Sequence, residues 1–314
     1  MIEMTVGKNE AGQRLLKALR KTLKAGTDGF FYKALRKKTI SLNGKKAKGD
    51  EILAEGDVIR FYLPDEVYDG LRGVEKKIRE VPHGFPKITV LCEDDDVLVF
   101  VKPQGVLSQN AEENDYSMND WVIRYASERR SFAGGSCRPS IVNRLDRNTY
   151  GIMAAGLSVK GLQTLSELFR DRSIEKRYHV IVRGKTEESA LLAGFLLKDE
   201  KSNTVRVFDK PTENAKEIRT SYERVCYDPA LDLSLLKVDL LTGRSHQIRA
   251  HLAHAGYPVL GDEKYGDRAL NKKFGVFMQC LACTEIAFPE CDLPAVSGKR
   301  FSIPVPANWI LKGE

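Results

Sequence analysis

Leu15, Leu16, Leu19 and Leu23 recur at helical steps through GQRLLKALRKTLKA, residues 12–25, while Arg14, Lys17, Lys21 and Lys24 fall largely on other faces. That spacing predicts an amphipathic helix with a basic side. A second short helix is predicted over 30–36. Apolar positions at Ile40 and Leu42, and later the alternation Val58, Arg60, Tyr62, predict short strands turned at Asn43-Gly44 and Gly56-Asp57. Residues 66–86, EVYDGLRGVEKKIREVPHGFP, mix charge with Gly and Pro without a sustained apolar period and read as a linker. Near Lys87 a second region opens with ITVLCEDDDVLVFVKP, two apolar runs around an acidic turn, which predicts a hairpin ending at Lys102-Pro103. Further strands are predicted at 177–183, 219–225, 233–240 and 277–288, and helices at 116–129, 159–172 and 245–255. This mixed order lacks strict β-α alternation and predicts an α+β fold with a largely antiparallel sheet. The expected organisation is a small α+β module over 1–65, a linker over 66–86 and a larger domain over 87–314.

Composition narrows the class. A chain of 314 residues with 42% hydrophobic and 30% charged residues has the balance of a globular protein, with material for one enzyme domain and an accessory module. No apolar run approaches the roughly 20 residues that span a bilayer, and the N-terminus lacks the apolar core of a signal peptide, so a cytoplasmic protein without a membrane partner is expected. Cysteines at 92, 137, 226, 280, 283 and 291 are scattered, and reduced thiols are expected. Residues 1–62 hold 14 Lys+Arg against 7 Asp+Glu, an excess equal to the net +7 of the whole chain. A basic excess at one end suits a polyanion such as nucleic acid, and it equally suits a solubilising surface.

The segment with most chemistry is Asn143-Arg144-Leu145-Asp146-Arg147-Asn148-Thr149-Tyr150-Gly151-Ile152. Arginines on both sides of Asp146 favour its charged form, ready to attack an electrophilic carbon. Taken alone, the Arg-Leu-Asp triplet fits a structural ion pair as well.

Three further stretches follow in order: Lys176-Arg177-Tyr178, then Leu241-Thr242-Gly243-Arg244-Ser245-His246-Gln247-Ile248-Arg249, then Gly256-Tyr257-Pro258-Val259-Leu260-Gly261-Asp262 with Tyr265-Gly266. With the 143–152 segment and the opening Lys102-Pro103 and Gly105, this series resembles the motifs of RluA-like RNA pseudouridine synthases over residues 87–310. The resemblance implies a pseudouridine synthase catalytic fold in which Asp146 is the nucleophile or electrostatic partner that detaches uracil from its ribose. It also implies that Tyr178 stacks under the target base and is a candidate for proton transfer, and that Arg249 pairs with the aspartate. Arg144 matches the residue that fills the gap left by the flipped nucleotide, and Leu145, Thr149, Arg244, His246 and Gln247 fall in the motifs that meet the substrate. Extrusion of the nucleotide makes sense physically, since a glycosidic carbon in stacked RNA is otherwise out of reach. Isomerisation of a base needs neither metal nor cofactor, and none is expected. Asn143, Tyr150 and Ala282 depart from the family pattern, which has His, Ser and His there, and put in doubt the hydrogen bonds that support the loop.

The N-terminal module resembles the S-four RNA-binding domain through Arg14-Leu15, Arg36-Lys37-Lys38, Asn43-Gly44 and Gly56-Asp57. That implies an RNA surface including Arg14, Arg36, Lys37, Lys38, Lys45 and Lys46. RluA-like enzymes with such a module usually act on large-subunit ribosomal RNA, which ranks ribosomal RNA above transfer RNA as the partner; a monomer is expected. Other readings are weaker. His246, His251 and His254 with Asp262, or Cys280 and Cys283 with Cys291, could be imagined as metal ligands, but packed histidines and buried thiols are expected. Ser245-His246 lacks the Gly-x-Ser-x-Gly elbow of a hydrolase, and no phosphate-cradling GxxxxGK[ST] loop is present. The alternative from another class is a non-catalytic RNA-binding or ribosome-assembly factor that retains the fold.

Overall fold

The computed structural model describes residues 1–7, 10–72, 78–129, 138–200 and 202–311; Cys137 lies outside them. At the N-terminus, strand β1 (Ile2–Thr5) and helices α1 (Leu15–Thr22) and α2 (Asp28–Arg36) precede β2 (Ile40–Leu42), β3 (Val58–Phe61) and helix α3 (Asp65–Arg72). The three strands form a small antiparallel sheet in the order β1-β3-β2. The leucine face of α1 is buried as its spacing requires: Leu15, Leu19 and Leu23 share a core with Phe31, Leu35, Ile40, Ile59 and Phe61. Thr27 starts α2 by accepting the Phe30 N–H on its hydroxyl at 3.3 Å.

The stretch read as linker thus begins as a helix. Tyr68 of α3 is buried and meets Phe61 edge-on, with ring centroids 5.1 Å apart, while Leu71 accepts a hydrogen bond from Ala25 N at 3.0 Å. One buried turn is enough to dock an eight-residue helix, which is why no sustained period marks it.

The larger region starts with β4 (Thr89–Glu93) and β5 (Val97–Lys102), then α4 (Met118–Ser127), β6 (Ser140–Ile141), β7 (Tyr150–Gly156), α5 (Val159–Arg170) and β8 (Glu175–Arg183). It continues through β9 (Ser189–Asp199), β10 (Thr204–Phe208), β11 (Lys216–Asp228), β12 (Leu233–Leu240), α6 (Gln247–His254), α7 (Arg268–Phe274), β13 (Leu281–Ala287) and β14 (Arg300–Ser302). One large sheet runs β10-β9-β11-β12-β8-β13-β7-β5-β4, with β14 beside β13 and β6 beside β7. Its pairings are antiparallel except β13 with β7. The fold is therefore α+β with a mixed, largely antiparallel sheet. All six residues of β5 are buried, and Met118 and Val122 of α4, Leu165 of α5, and Ile248 and Leu252 of α6 pack into the same core. Ser117 and Asp120 close a reciprocal capping box on α4.

The apolar pattern does not show the hairpin β9-β10. Its sequence ALLAGFLLKD is rich in Ala and Leu without clean alternation, and its strand state comes from the long antiparallel pairing with β11, which runs from Lys216 opposite Leu196 to Glu223 opposite Ser189. The apolar pattern does not mark helix α7 either. Asp267 starts it by accepting Ala269 N and Leu270 N, and Gly275 ends it in the left-handed region at φ 65°.

Candidate active site

The segment from Asn143 to Thr149 is a loop between β6 and β7 held at nearly every residue. The Asn143 side-chain oxygen accepts Ala154 N at 2.8 Å, so this residue supports the loop although the family pattern has histidine there. Leu145 is buried in the main core, and the Ser108 hydroxyl both accepts its N–H at 3.0 Å and donates to its carbonyl at 2.6 Å. Thr149 N donates to Asp146 O at 3.0 Å, which closes the turn, and Gln279 Nε2 donates to the buried Thr149 hydroxyl at 2.8 Å. From the end of β5, Lys102 Nζ donates to the carbonyls of Pro103, Val106 and Arg147 at 2.8, 2.7 and 2.8 Å. Lys102 has no exposed surface; burial pushes its ammonium down to about 7, while the nearby Asp146 charge works the other way. Three carbonyl oxygens, one for each proton, fit the charged form.

Asp146 is thereby presented on a rigid turn with about a quarter of its side chain exposed. Its Oδ2 accepts from Arg249 Nη1 at 2.7 Å, and Oδ1 has no hydrogen bond among the described residues; His246 Nε2 lies 4.0 Å from Oδ1. Arg249, on α6, turns its other nitrogens to Asp262, with Nε to Oδ2 at 2.7 Å and Nη2 to Oδ1 at 2.8 Å. Asp262 is fully buried and also accepts the N–H groups of Lys264 and Tyr265 at 2.8 and 3.1 Å. Burial opposes the charge on both partners, but Asp262 and Asp146 raise Arg249 above its ordinary value, and Arg249 with the two backbone N–H groups holds Asp262 below the usual carboxylate range. The result is a guanidinium fixed between two carboxylates, one sealed and one open.

Tyr178 lies on β8 opposite Cys283 of β13 and is nearly buried. Burial, and then the neighbouring Cys283, raise its hydroxyl well above 10, so it stands as a phenol at neutral pH. Cys283 and Cys280 are buried thiols pushed up to about 12 by burial. His251 hydrogen-bonds Thr220 at 3.0 Å in the interior, and His254 meets Asp209 at 2.8 Å on the surface.

The structure separates the residues named from the motifs. Arg144 and Arg244 are exposed, and so is Arg147. Gln247 is not free to meet a ligand: its Oε1 accepts from Thr242 Oγ1 and Arg244 N at 2.8 and 3.1 Å, and its Nε2 donates to Arg219 O and Thr220 Oγ1, both at 3.0 Å. These fill the amide's hydrogen-bonding capacity, so Gln247 shapes the turn that carries His246. Leu145 and Thr149 are likewise interior. The motifs do not single out Tyr265, Lys102, Ser108 or Gln279 as site residues, and they offer Asp262 only as an imagined metal ligand. Asp262, Tyr265 and Lys102 lie inside the motifs, but nothing in the local pattern says which side chain a buried charge will face.

A profile of the family described as RNA pseudouridylate synthase matches residues 96–254, half of the chain. Ribosomal large subunit pseudouridine synthase C of Escherichia coli is 29% identical over 276 residues, 84% of this chain and 80% of that protein. An uncharacterized RNA pseudouridine synthase of Mycoplasma pneumoniae is 31% identical over 265 residues, covering 83% of this chain and 80% of its own length. The solved structure of human RNA Pseudouridylate Synthase Domain Containing 4 shares the fold, with a TM-score of 0.57 at 20% identity over 70% of this chain and 89% of that one. With the family profile across the Asp146 loop and α6, and these relatives along most of its length, this chain belongs to the RNA pseudouridylate synthase family and is an RNA pseudouridine synthase.

Proposed function

We propose that this enzyme converts uridine to pseudouridine in large-subunit ribosomal RNA, with Asp146 acting at the glycosidic carbon of a nucleotide flipped out of the RNA. The observation that carries the catalytic assignment is the asymmetry of the Asp146 carboxylate: Arg249 holds Oδ2 at 2.7 Å and leaves Oδ1 open. In the reaction the C1′–N1 bond breaks, the base turns, C1′–C5 forms, C5 gives up its proton and N1 gains one, so no oxidant or acceptor is consumed. An oriented carboxylate suits this sequence because it can attack C1′ or stabilise positive charge there, and Arg249 keeps it aimed. Tyr178, held as a phenol, suits a stacking floor under the base better than a resting general base. Arg144, exposed and two residues before Asp146 in the chain, would enter the space that the flipped nucleotide leaves. The substrate class rests on the relatives named as ribosomal large subunit synthases, on the S-four resemblance, and on the exposure of Arg14, Arg36, Lys37, Lys38, Lys45 and Lys46.

The test is pseudouridine mapping of total RNA from cells lacking the gene, complemented with wild type or with Asp146→Ala. One or more uridines of large-subunit RNA should lose the modification and recover it only with wild type. Recovery with Asp146→Ala would remove the catalytic assignment, and loss confined to transfer RNA would replace the substrate.

A further inference from the structure

Around Asp146 the side chains close into a ring. Arg249 joins Asp146 to Asp262, Asp262 Oδ1 accepts Tyr265 N at 3.1 Å, the Tyr265 hydroxyl lies 2.9 Å from His246 Nδ1, and His246 Nε2 faces Asp146 Oδ1 at 4.0 Å. Packing reinforces it: the Arg249 guanidinium sits over the Tyr265 ring at 5.2 Å, and the His246 and Tyr265 rings meet edge-on at 5.7 Å. The proton positions follow from counting. A phenol has one proton, and the Tyr265 oxygen already accepts Val205 N of β10 at 2.8 Å. Among the described residues His246 Nδ1 is the one acceptor within reach of the phenol proton, so the arrangement that satisfies both groups has Nδ1 accepting and the imidazole proton on Nε2.

We propose that Tyr265 and His246 are positioning residues for Asp146: Tyr265 fixes His246 as the Nε2–H tautomer, and that N–H restrains the carboxylate oxygen Arg249 does not hold. At 4.0 Å the donor stands beside Oδ1 without being bonded to it, so a small rotation of the carboxylate brings the two together. Arg249 alone pins one oxygen and leaves the carboxylate plane free to turn; a donor on the other side removes that freedom. His246 is placed there at a conformational cost, since it occupies the left-handed region with φ 55° and ψ 14° at the start of α6. The four hydrogen bonds of the neighbouring Gln247 amide hold that strained turn. A pair serving only to staple α6 to the 262–266 segment would need neither the strained backbone nor a ring nitrogen beside the open oxygen.

This inference rests on the proposed role of Asp146, and the tests keep the two apart. In the full-length protein, nitrogen NMR of the imidazole should show His246 with Nδ1 unprotonated and Nε2 protonated, and Tyr265→Phe, which keeps the ring and removes the hydroxyl, should lose that preference. In turnover on a structured large-subunit RNA fragment, Tyr265→Phe should lower kcat about tenfold with KM within about twofold of wild type. His246→Gln retains a side-chain N–H and should keep more activity than His246→Ala. A wild-type His246 protonated on Nδ1, a Tyr265→Phe enzyme at full kcat, or equal losses in His246→Gln and His246→Ala would each overturn the proposal. An active Asp146→Ala enzyme would instead overturn the catalytic reading, whatever tautomer the NMR finds. Should Tyr265→Phe fail to fold, the two His246 variants and the wild-type tautomer still decide.

Discussion

Arg249 is the residue on which the site depends, and Asp262 is what makes a buried arginine tolerable. Removing one partner of a buried ion pair leaves the other charge short of compensation, so Asp262→Asn should lower stability by about 3–5 kcal/mol. Because the folded carboxyl of Asp262 is held below its ordinary range, its contribution is fully present above the unfolded-state pKa and is lost as pH falls through the folded-state value. Urea unfolding of wild type and Asp262→Asn should therefore show a gap at neutral pH that narrows in acid, roughly below pH 4. A gap that stays constant into acid would mean that the ion pair is not its source. The same variant should lose activity, since a guanidinium released from Asp262 no longer meets Asp146 along a fixed line.

At the scale of elements, the site forms where the loop before β7, the start of α6 and the 259–266 segment come together, and the parallel join of β7 to β13 sets that meeting. Gly151 is the point of closest approach. Its φ is 134°, and a Cβ there would lie 2.3 Å from the Cys283 carbonyl oxygen, so the two backbones approach only because that atom is missing. Gly151→Ala should destabilise the protein by about 2–4 kcal/mol in thermal or denaturant unfolding, since both the backbone angle and the space reject the methyl group. Activity should fall further than stability explains, because Tyr150 and the Asp146 turn move with the strand. A variant as stable as wild type would show that the strands part without penalty. Lys102 works at this scale too: its three carbonyl bonds join the end of β5 to the Asp146 loop.

Over the whole molecule, the basic excess lies at the N-terminus while the carboxylate that would act lies in the other region. If that end holds RNA phosphates, Lys45→Ala with Lys46→Ala should weaken binding to a structured RNA. The plot of log affinity against log salt should also flatten, by about one unit for each phosphate that a lysine no longer neutralises. Fluorescence anisotropy at several salt concentrations measures this directly. Turnover at saturating RNA should be unchanged, because neither lysine belongs to the Asp146 cluster. An unaltered salt slope would favour the reading of these lysines as a solubilising surface.

Local order along the chain was enough to recognise the α+β class, the amphipathic α1, the hairpin β4-β5, and the motifs that carry Asp146, Tyr178 and Arg249. These features are short-range: a leucine face repeats every three or four residues, and a motif is a string of neighbours. The chain pattern was silent where an element owes its state to a distant partner, as β9-β10 does to β11 and α3 to the Phe61 face. It also could not tell which polar side chains of a motif face a ligand. Gln247 and His246 are adjacent in sequence, yet one is consumed within its own turn and the other stands beside Asp146. The Asp262–Arg249–Asp146 chain and the Tyr265–His246 pair arise only when α6 is packed against the 259–266 segment. A buried charge takes whichever partner the packing brings within hydrogen-bond reach, and that distance is a property of the folded chain rather than of the order of its residues.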